Sequence, residues 1–86
     1  MKSLLIDVAT ILEERGKEYP PFKQEAERVC SALRVLWGIE LSPAQYTQVL
    51  MTMKLCREGS RHKKDNLVDL VAYTSFLDAI HAEGKP

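Results

Sequence analysis

A short polar segment, residues 56–73 with the sequence CREGSRHKKDNLVDLVAY, concentrates charge in a chain of 86 residues whose twelve basic and twelve acidic side chains cancel. Like charges at that density repel one another unless an anion binds. Arg side chains offer forked donors and Lys side chains offer point charges, so this segment could bind phosphate. A solvated loop is the alternative. The basic residues of the loop are Arg61, His62, Lys63 and Lys64.

Charged residues also lie on the helices predicted before and after this loop. If these two helices are antiparallel, their charged residues face each other. A short loop between helices predicts a register that places Lys54 opposite Asp69 and Arg57 opposite Asn66. The alternative is a set of ordinary surface ion pairs, each stabilising by about 0 to 1 kcal/mol. The candidate ligand-binding residues on the helix after the loop are Asp65, Asn66, Asp69 and Tyr73.

A second cluster lies in residues 15–29, RGKEYPPFKQEAERV. Tyr19 could stack on a base or ribose, or it could pack within its own loop beside the double proline. Glu25 and Arg28 could bind a ligand or form a surface pair three residues apart. The candidate binding residues of this cluster are Arg15, Lys17, Tyr19, Glu25 and Arg28.

The spacing of apolar residues predicts the helices that must position both clusters. The pattern predicts four helices, one after another: from an N-cap at Ser3 to Gly16, from Pro21 to Gly38, from an N-cap at Ser42 to Gly59, and from an N-cap at Asp65 to Gly84. Ser42 with Pro43 and Gln45 forms a capping box, which is the strongest local signal. No segment alternates with period two, so we expect a single all-α domain over residues 1–86.

Each helix carries apolar residues at helical spacing, and these predict its inward face. The predicted inward positions are Leu4, Val8, Ile11 and Leu12 in the first helix, Phe22, Ala26, Val29, Leu33 and Leu36 in the second, Tyr46, Val49, Leu50, Met53 and Cys56 in the third, and Leu67, Leu70, Val71, Thr74, Leu77 and Ile80 in the fourth.

Composition disfavours several classes of protein. Zero net charge gives no broad positive field for nucleic acid or an anionic membrane. No apolar run approaches the roughly 18 residues of a membrane span, and the first residues do not read as a secretory signal. Cys30 and Cys56 have no zinc-ligand spacing, so we expect reduced, partly buried thiols in a cytoplasmic protein. So small a chain is expected to gain stability by self-association.

Four pieces of the sequence follow one another in this order: RGKEYPPFKQEAERV, a tryptophan, LSPAQYTQVLMTMKLCR and HKKDNLVDLVAY. In this order they resemble a family of small phage-encoded helical proteins near the MazG-like all-α nucleotide pyrophosphohydrolases. The resemblance implies a four-helix MazG-like domain in a homo-oligomer, in the host cytoplasm. MazG-like enzymes hold magnesium with ExxE on one helix and ExxD on the next. Here the second motif falls on residues 66–69, with Asn66 in place of the leading glutamate, and the first has no clean counterpart.

Three functions follow from these observations. The first is binding, without cleavage, of a small phosphorylated nucleotide or nucleotide-derived signal, with no metal or other cofactor; in a phage this could sequester a host defence signal. The second is a divergent pyrophosphohydrolase in which Glu25, Asp65 and Asp69 hold magnesium. The third is a non-catalytic protein-interaction module that uses Trp37, Tyr46, Met51 and Met53.

Overall fold

Helices account for nearly all of the described chain. The structure, a computed structural model, describes the backbone of residues 2–84 and the side chains of residues 8–84. No strand occurs within residues 2–84, so the all-α prediction is confirmed. The elements are α1 (Lys2–Arg15), a 3₁₀ turn (Gly16–Glu18), α2 (Tyr19–Trp37), α3 (Pro43–Ser60) and α4 (Lys64–Ala82).

Within the described residues, α3 and α4 form an antiparallel hairpin with the most extensive contact between any two helices. Only three residues separate these helices, so they must pack side by side. On this hairpin α1 packs mainly against α4, and α2 packs mainly against α3. The hairpin therefore fixes the position of the polar segment relative to the beginning of α2.

The predicted boundaries hold where a local capping signal is strong. In the capping box of α3, the backbone N–H of Gln45 donates to Ser42 Oγ at 3.1 Å, and the backbone N–H of Ser42 donates to Gln45 Oε1 at 2.9 Å. Gly38 ends α2 with a φ of 65°. That left-handed conformation favours glycine because it has no Cβ.

Several predicted boundaries are wrong. The second helix begins at Tyr19 rather than at Pro21. Because α1 begins at Lys2, Ser3 lies inside the helix rather than at its N-cap. The third helix continues past Gly59 and ends at Ser60. The N-cap of α4 is Lys63, not Asp65, which lies in the first turn. Glu58, on α3, accepts the backbone N–H of the N-cap residue Lys63.

Small side chains make up much of the buried core. Buried apolar residues are Ala26, Cys30, Ala44, Ala72, Phe76 and Ile80, and Thr47 and Asn66 are buried polar residues. A half-buried aromatic cluster extends this core, with ring centroids 4.7 Å apart for Phe22 and Phe76 and 5.9 Å apart for Phe22 and Tyr73. This cluster joins the beginning of α2 to the middle of α4.

The inward faces were predicted less well than the helices. In α4, Leu67 and Thr74 are exposed, whereas Asn66, Ala72 and Phe76 are buried. This helix is apolar on most sides, so periodicity alone could not select a face.

Other predicted inward residues are also exposed: Leu12, Leu36, Val49, Met53 and Cys56. Cys30 is buried as expected, and burial raises the pKa of its thiol. The side chain of Leu4 lies outside the described residues.

Candidate functional site

Asp69 is the central residue of the candidate site. Its Oδ2 lies 2.8 Å from Lys54 Nζ, and its Oδ1 lies 3.8 Å from Arg15 Nη2. The first contact is the one that the antiparallel register predicts. Asp69 therefore links the two charged clusters found in the sequence, one before α2 and one in the α3–α4 hairpin.

One side of Asp69 faces a cation-rich cavity between α3 and α4, of about 660 Å³. Lys54 is half-buried there by its contact with Asp69, whereas Arg57 is exposed and has no carboxylate partner within residues 8–84. Forked donors and ammonium groups of this kind can bind a phosphate. The cavity is lined by Lys54, Cys56, Arg57, Ser60, Arg61, Lys63, Asp65, Asn66 and Asp69.

The other side of Asp69 faces an aromatic cavity of about 350 Å³ between α2 and α4. Its walls combine apolar rings with carboxylates, which are acceptors suited to the N–H groups of a base or the hydroxyls of a ribose. Arg15 lies at its edge, where Nη1 donates to Glu18 Oε2 at 2.9 Å and this hydrogen bond raises the pKa of Arg15. The cavity is lined by Arg15, Glu18, Pro21, Phe22, Glu25, Asp69, Ala72, Tyr73 and Phe76.

Glu58, near the end of α3, organises the loop that leads into α4. Its Oε1 accepts from the backbone N–H of Lys63 at 3.1 Å and from Asn66 Nδ2 at 3.2 Å, and its Oε2 contacts His62 Nδ1. The hydrogen bond from His62, followed by those from Lys63 and Asn66, lowers the pKa of Glu58. A single carboxylate thus caps the beginning of α4 from the preceding helix.

Arg57 and Asn66, which the predicted register places opposite each other, both line the cation-rich cavity. The buried amide of Asn66 donates to Glu58. The amide therefore stabilises the hairpin, and part of its hydrogen-bonding capacity is already used. His62 is exposed and lines neither cavity.

Tyr19 lies outside both cavities. Its hydroxyl donates to Glu83 Oε1 at 2.8 Å, and Lys23 Nζ lies 2.6 Å from Glu83 Oε2. Burial and the hydrogen bond to Glu83 raise the pKa of Tyr19 to about 12. The ring packs on Phe76 at a centroid distance of 5.8 Å, so Tyr19 connects the beginning of α2 to the end of α4.

The structure brings together most, but not all, of the residues that the sequence nominated. Nine of them line the two cavities: Arg15, Glu25, Lys54, Arg57, Lys63, Asp65, Asn66, Asp69 and Tyr73. Five line neither: Lys17, Tyr19, Arg28, His62 and Lys64. Sequence reasoning missed Phe22 as a wall residue because its spacing is that of an ordinary core position, and it missed Phe76 because it selected a different inward face of α4.

The three candidate carboxylates, Glu25, Asp65 and Asp69, do not line one common cavity. Among residues 8–84, no three His, Cys, Asp or Glu side chains converge well enough to hold a metal ion. Asp65 and Asp69 share the cation-rich cavity, but Glu25 lines the aromatic one. Lys54, at 2.8 Å from Asp69, occupies the position where a cation would otherwise balance that carboxylate. Such a lysine can supply charge, but it cannot by itself activate a water molecule.

The fold and the cleft define a small all-helical domain in which a cation-rich and an aromatic cavity meet at one aspartate. Residues 4–81 match the family model of a domain of unknown function, DUF6378, so the chain belongs to that family. No curated protein and no solved structure matches the chain. None of the helices in the described part of the chain is long and apolar enough to cross a membrane.

Proposed function

We propose that this protein binds a small phosphorylated nucleotide, or a signal derived from one, and holds it without cleaving it. The observation that carries the proposal is the meeting of the two cavities at Asp69. A cavity of about 660 Å³ lined by four basic residues suits the phosphates, and the adjoining aromatic cavity suits the base or ribose.

Binding would use groups that are already in place. Asp69 holds Lys54 against the wall between the cavities, and Arg57 presents donors that no described carboxylate occupies. An incoming phosphate adds a second acceptor for Lys54 and the first for Arg57. The aromatic rings of Phe22 and Tyr73 offer apolar surface on the other side of the same wall.

The same residues argue against cleavage. Magnesium-dependent diphosphate hydrolysis needs several carboxylates around the ion to orient the attacking water. In this cleft one of the candidate carboxylates is neutralised by Lys54, and the set of Glu25, Asp65 and Asp69 is divided between two cavities. Capture of a host defence signal in the cytoplasm, by a homo-oligomer of a MazG-like domain in a phage, is the setting that we propose for such a protein.

The direct test is a screen of linear and cyclic nucleotides by thermal shift, with magnesium and with chelator, followed by calorimetry on those that bind. Arg57→Ala should weaken binding about 10- to 100-fold because it removes a charged hydrogen-bond donor. Arg28→Ala is the matched control, since it removes the same charge at an exposed residue that lines neither cavity. Equal weakening by both variants would contradict a localised phosphate site.

The fate of the ligand decides between binding and hydrolysis. After incubation with magnesium, chromatography of the released ligand should return the intact nucleotide. Release of pyrophosphate would support the alternative of a divergent MazG-like pyrophosphohydrolase, with its carboxylates completed by another subunit.

A protein-interaction module is the other candidate, and exposed apolar residues favour it. Trp37 and Met53 are exposed, whereas Tyr46 and Met51 are half-buried. Failure of every nucleotide to bind, together with recovery of a specific protein partner, would favour this reading.

A further inference from the structure

One of the carboxylates that line the aromatic cavity has no partner in the protein. Glu18 is paired with Arg15 at 2.9 Å, and Asp69 is held by cations from two other elements. Glu25 lines the same cavity and forms no hydrogen bond and no ion pair within residues 8–84. Its two oxygens are therefore available to a ligand.

This carboxylate lies beside a cluster of aromatic rings. Phe22, three residues before Glu25 on α2, has its ring centroid 5.9 Å from that of Tyr73 and 6.2 Å from that of Tyr46. Burial, followed by the charge of Glu25, raises the pKa of Tyr46, so the carboxylate is close to these rings. Glu25 is exposed, whereas Phe22 and Tyr73 are half-buried. A planar base that packs on the rings would meet the carboxylate at one edge.

The bases differ in the donors that they offer to a carboxylate. An ionised carboxylate has two acceptor oxygens and no donor, so it is best matched by two neighbouring N–H groups. Guanine presents such a pair on one edge, its N1–H and its N2 amino group. Adenine and cytosine present one amino group beside an unprotonated ring nitrogen, which would face the second oxygen. Uracil and thymine present one N–H between two carbonyl oxygens. Guanine is therefore the common base that matches both oxygens.

We propose that the aromatic cavity selects guanine, with the carboxylate of Glu25 accepting from N1–H and from the N2 amino group while the base packs on Phe22 and Tyr73. This inference rests on the proposed function and names the class of ligand for the same site. The cavity, of about 350 Å³, is within the range of small-molecule pockets, about 300 to 1,000 Å³. The phosphates of the nucleotide would lie beyond Asp69, in the cation-rich cavity.

The exposure of Glu25 sets the size of the expected selectivity. A site that accepts hydrogen bonds from a ligand rejects an analogue that lacks the donors, because a polar group is then left unpaired. At an exposed carboxylate, water replaces part of the missing interaction. The preference for guanine over adenine should therefore be about 10- to 100-fold, as for hydrogen bonds to a charged group, and not the larger factor of a buried site.

Three nucleoside diphosphates test the inference on the wild-type protein. GDP, IDP and ADP carry the same ribose and phosphates, so differences in affinity report on the base. IDP keeps the N1–H of guanine but lacks its N2 amino group. Calorimetry with chelator present should show GDP binding about 10- to 100-fold more tightly than ADP, with IDP between them. Binding of ADP as tight as that of GDP would overturn the inference.

Glu25→Gln tests whether this carboxylate makes the selection. A glutamine offers one acceptor and one donor, which match the amino group and ring nitrogen of adenine. The ratio of GDP to ADP affinity should therefore fall by about 10-fold or more. The ratio is the measure because removing a negative charge strengthens the binding of both nucleotides.

Glu27→Gln is the matched control, because it removes the same charge from an exposed residue of the same helix that lines neither cavity. It should leave the ratio of the two affinities unchanged. An unchanged ratio in Glu25→Gln, or an equal fall in both variants, would contradict the assignment.

The guanine inference and the proposed function fail in different experiments. If no nucleotide of the wider screen binds, both are wrong. If other nucleotides bind and GDP does not, or if ADP binds as tightly as GDP, the guanine inference is wrong and nucleotide binding stands.

Discussion

Two carboxylates, Asp69 and Glu58, connect different helices of this protein. Asp69 holds Lys54 and Arg15 from two other elements, and Glu58 caps α4 from the end of α3. Asp69 lies at the centre of the candidate site, and Glu58 stabilises the loop beside that site. Their substitutions should therefore have separable effects on binding and on stability.

Asp69→Asn distinguishes binding from hydrolysis, because the two functions predict opposite changes in the affinity for nucleotide. If Asp69 binds no metal, this variant should tighten the binding of a phosphorylated nucleotide by about 3- to 10-fold, since the new amide still accepts a hydrogen bond from Lys54 while a nearby negative charge no longer repels the phosphate. Calorimetry with a nucleotide from the screen measures this. If Asp69 instead binds magnesium, the same variant should lose metal-dependent affinity and pyrophosphate release.

Glu58 should make the stability of the loop pH-dependent. Because its hydrogen bonds lower the pKa of Glu58 below the ordinary glutamate value of 4.5, this stabilisation is complete above that value. It is lost as the pH falls through the lower folded-state pKa. Glu58→Gln should therefore lower the melting temperature at neutral pH, and the difference from wild type should shrink in acid.

Thermal melts of both proteins over a pH series provide the measurement. Glu13→Gln, which removes the same charge from an exposed position on α1, supplies the baseline. A difference between Glu58→Gln and wild type that stays constant below pH 4.5 would show that the lowered pKa contributes nothing to stability.

At the scale of elements, the ends of the helices follow local chemistry. The capping box at Ser42 and the left-handed Gly38 both lie where the sequence predicts them. The N-cap predicted at Asp65 is wrong because α4 already begins at Lys64, and Glu58 of the preceding helix accepts the backbone N–H of Lys63. A local capping signal does not include an acceptor that a neighbouring helix supplies.

Two glycine substitutions compare the effect of a Cβ on stability at the end of α2 and inside α3. Gly38→Ala should destabilise the fold by about 1 to 2 kcal/mol, because a Cβ is strained at a φ of 65° although no atom lies within 4 Å of it. Gly59→Ala, inside α3 and equally open, should stabilise by about 0.5 to 1 kcal/mol. Urea unfolding of the two variants gives both values, and equal signs would contradict the argument.

At the scale of the whole molecule, the contact between Tyr19 and Glu83 joins residues 64 positions apart. It ties the beginning of α2 to the end of α4, whereas Val35 and Trp37 at the opposite end of α2 are exposed. One end of this helix is therefore held by a long-range contact within the chain, and the other end presents apolar side chains to solvent.

The homo-oligomer that we propose predicts that thermal stability depends on protein concentration. Binding of a partner to the folded chain alone raises the melting temperature by mass action. The midpoint of thermal unfolding should therefore rise as the protein is concentrated. A midpoint that is independent of concentration would count against self-association.

The sequence by itself determined the helices, the capping box, the turn at Gly38 and the contact between Lys54 and Asp69. Each of these depends on residues within about one helical turn, or on a short loop that fixes the register of two helices. Only the tertiary structure decided which face of α4 is buried, because that helix is apolar on most sides. It also decided that Tyr19 binds Glu83 and that two cavities meet at Asp69, since these contacts join residues far apart in the chain.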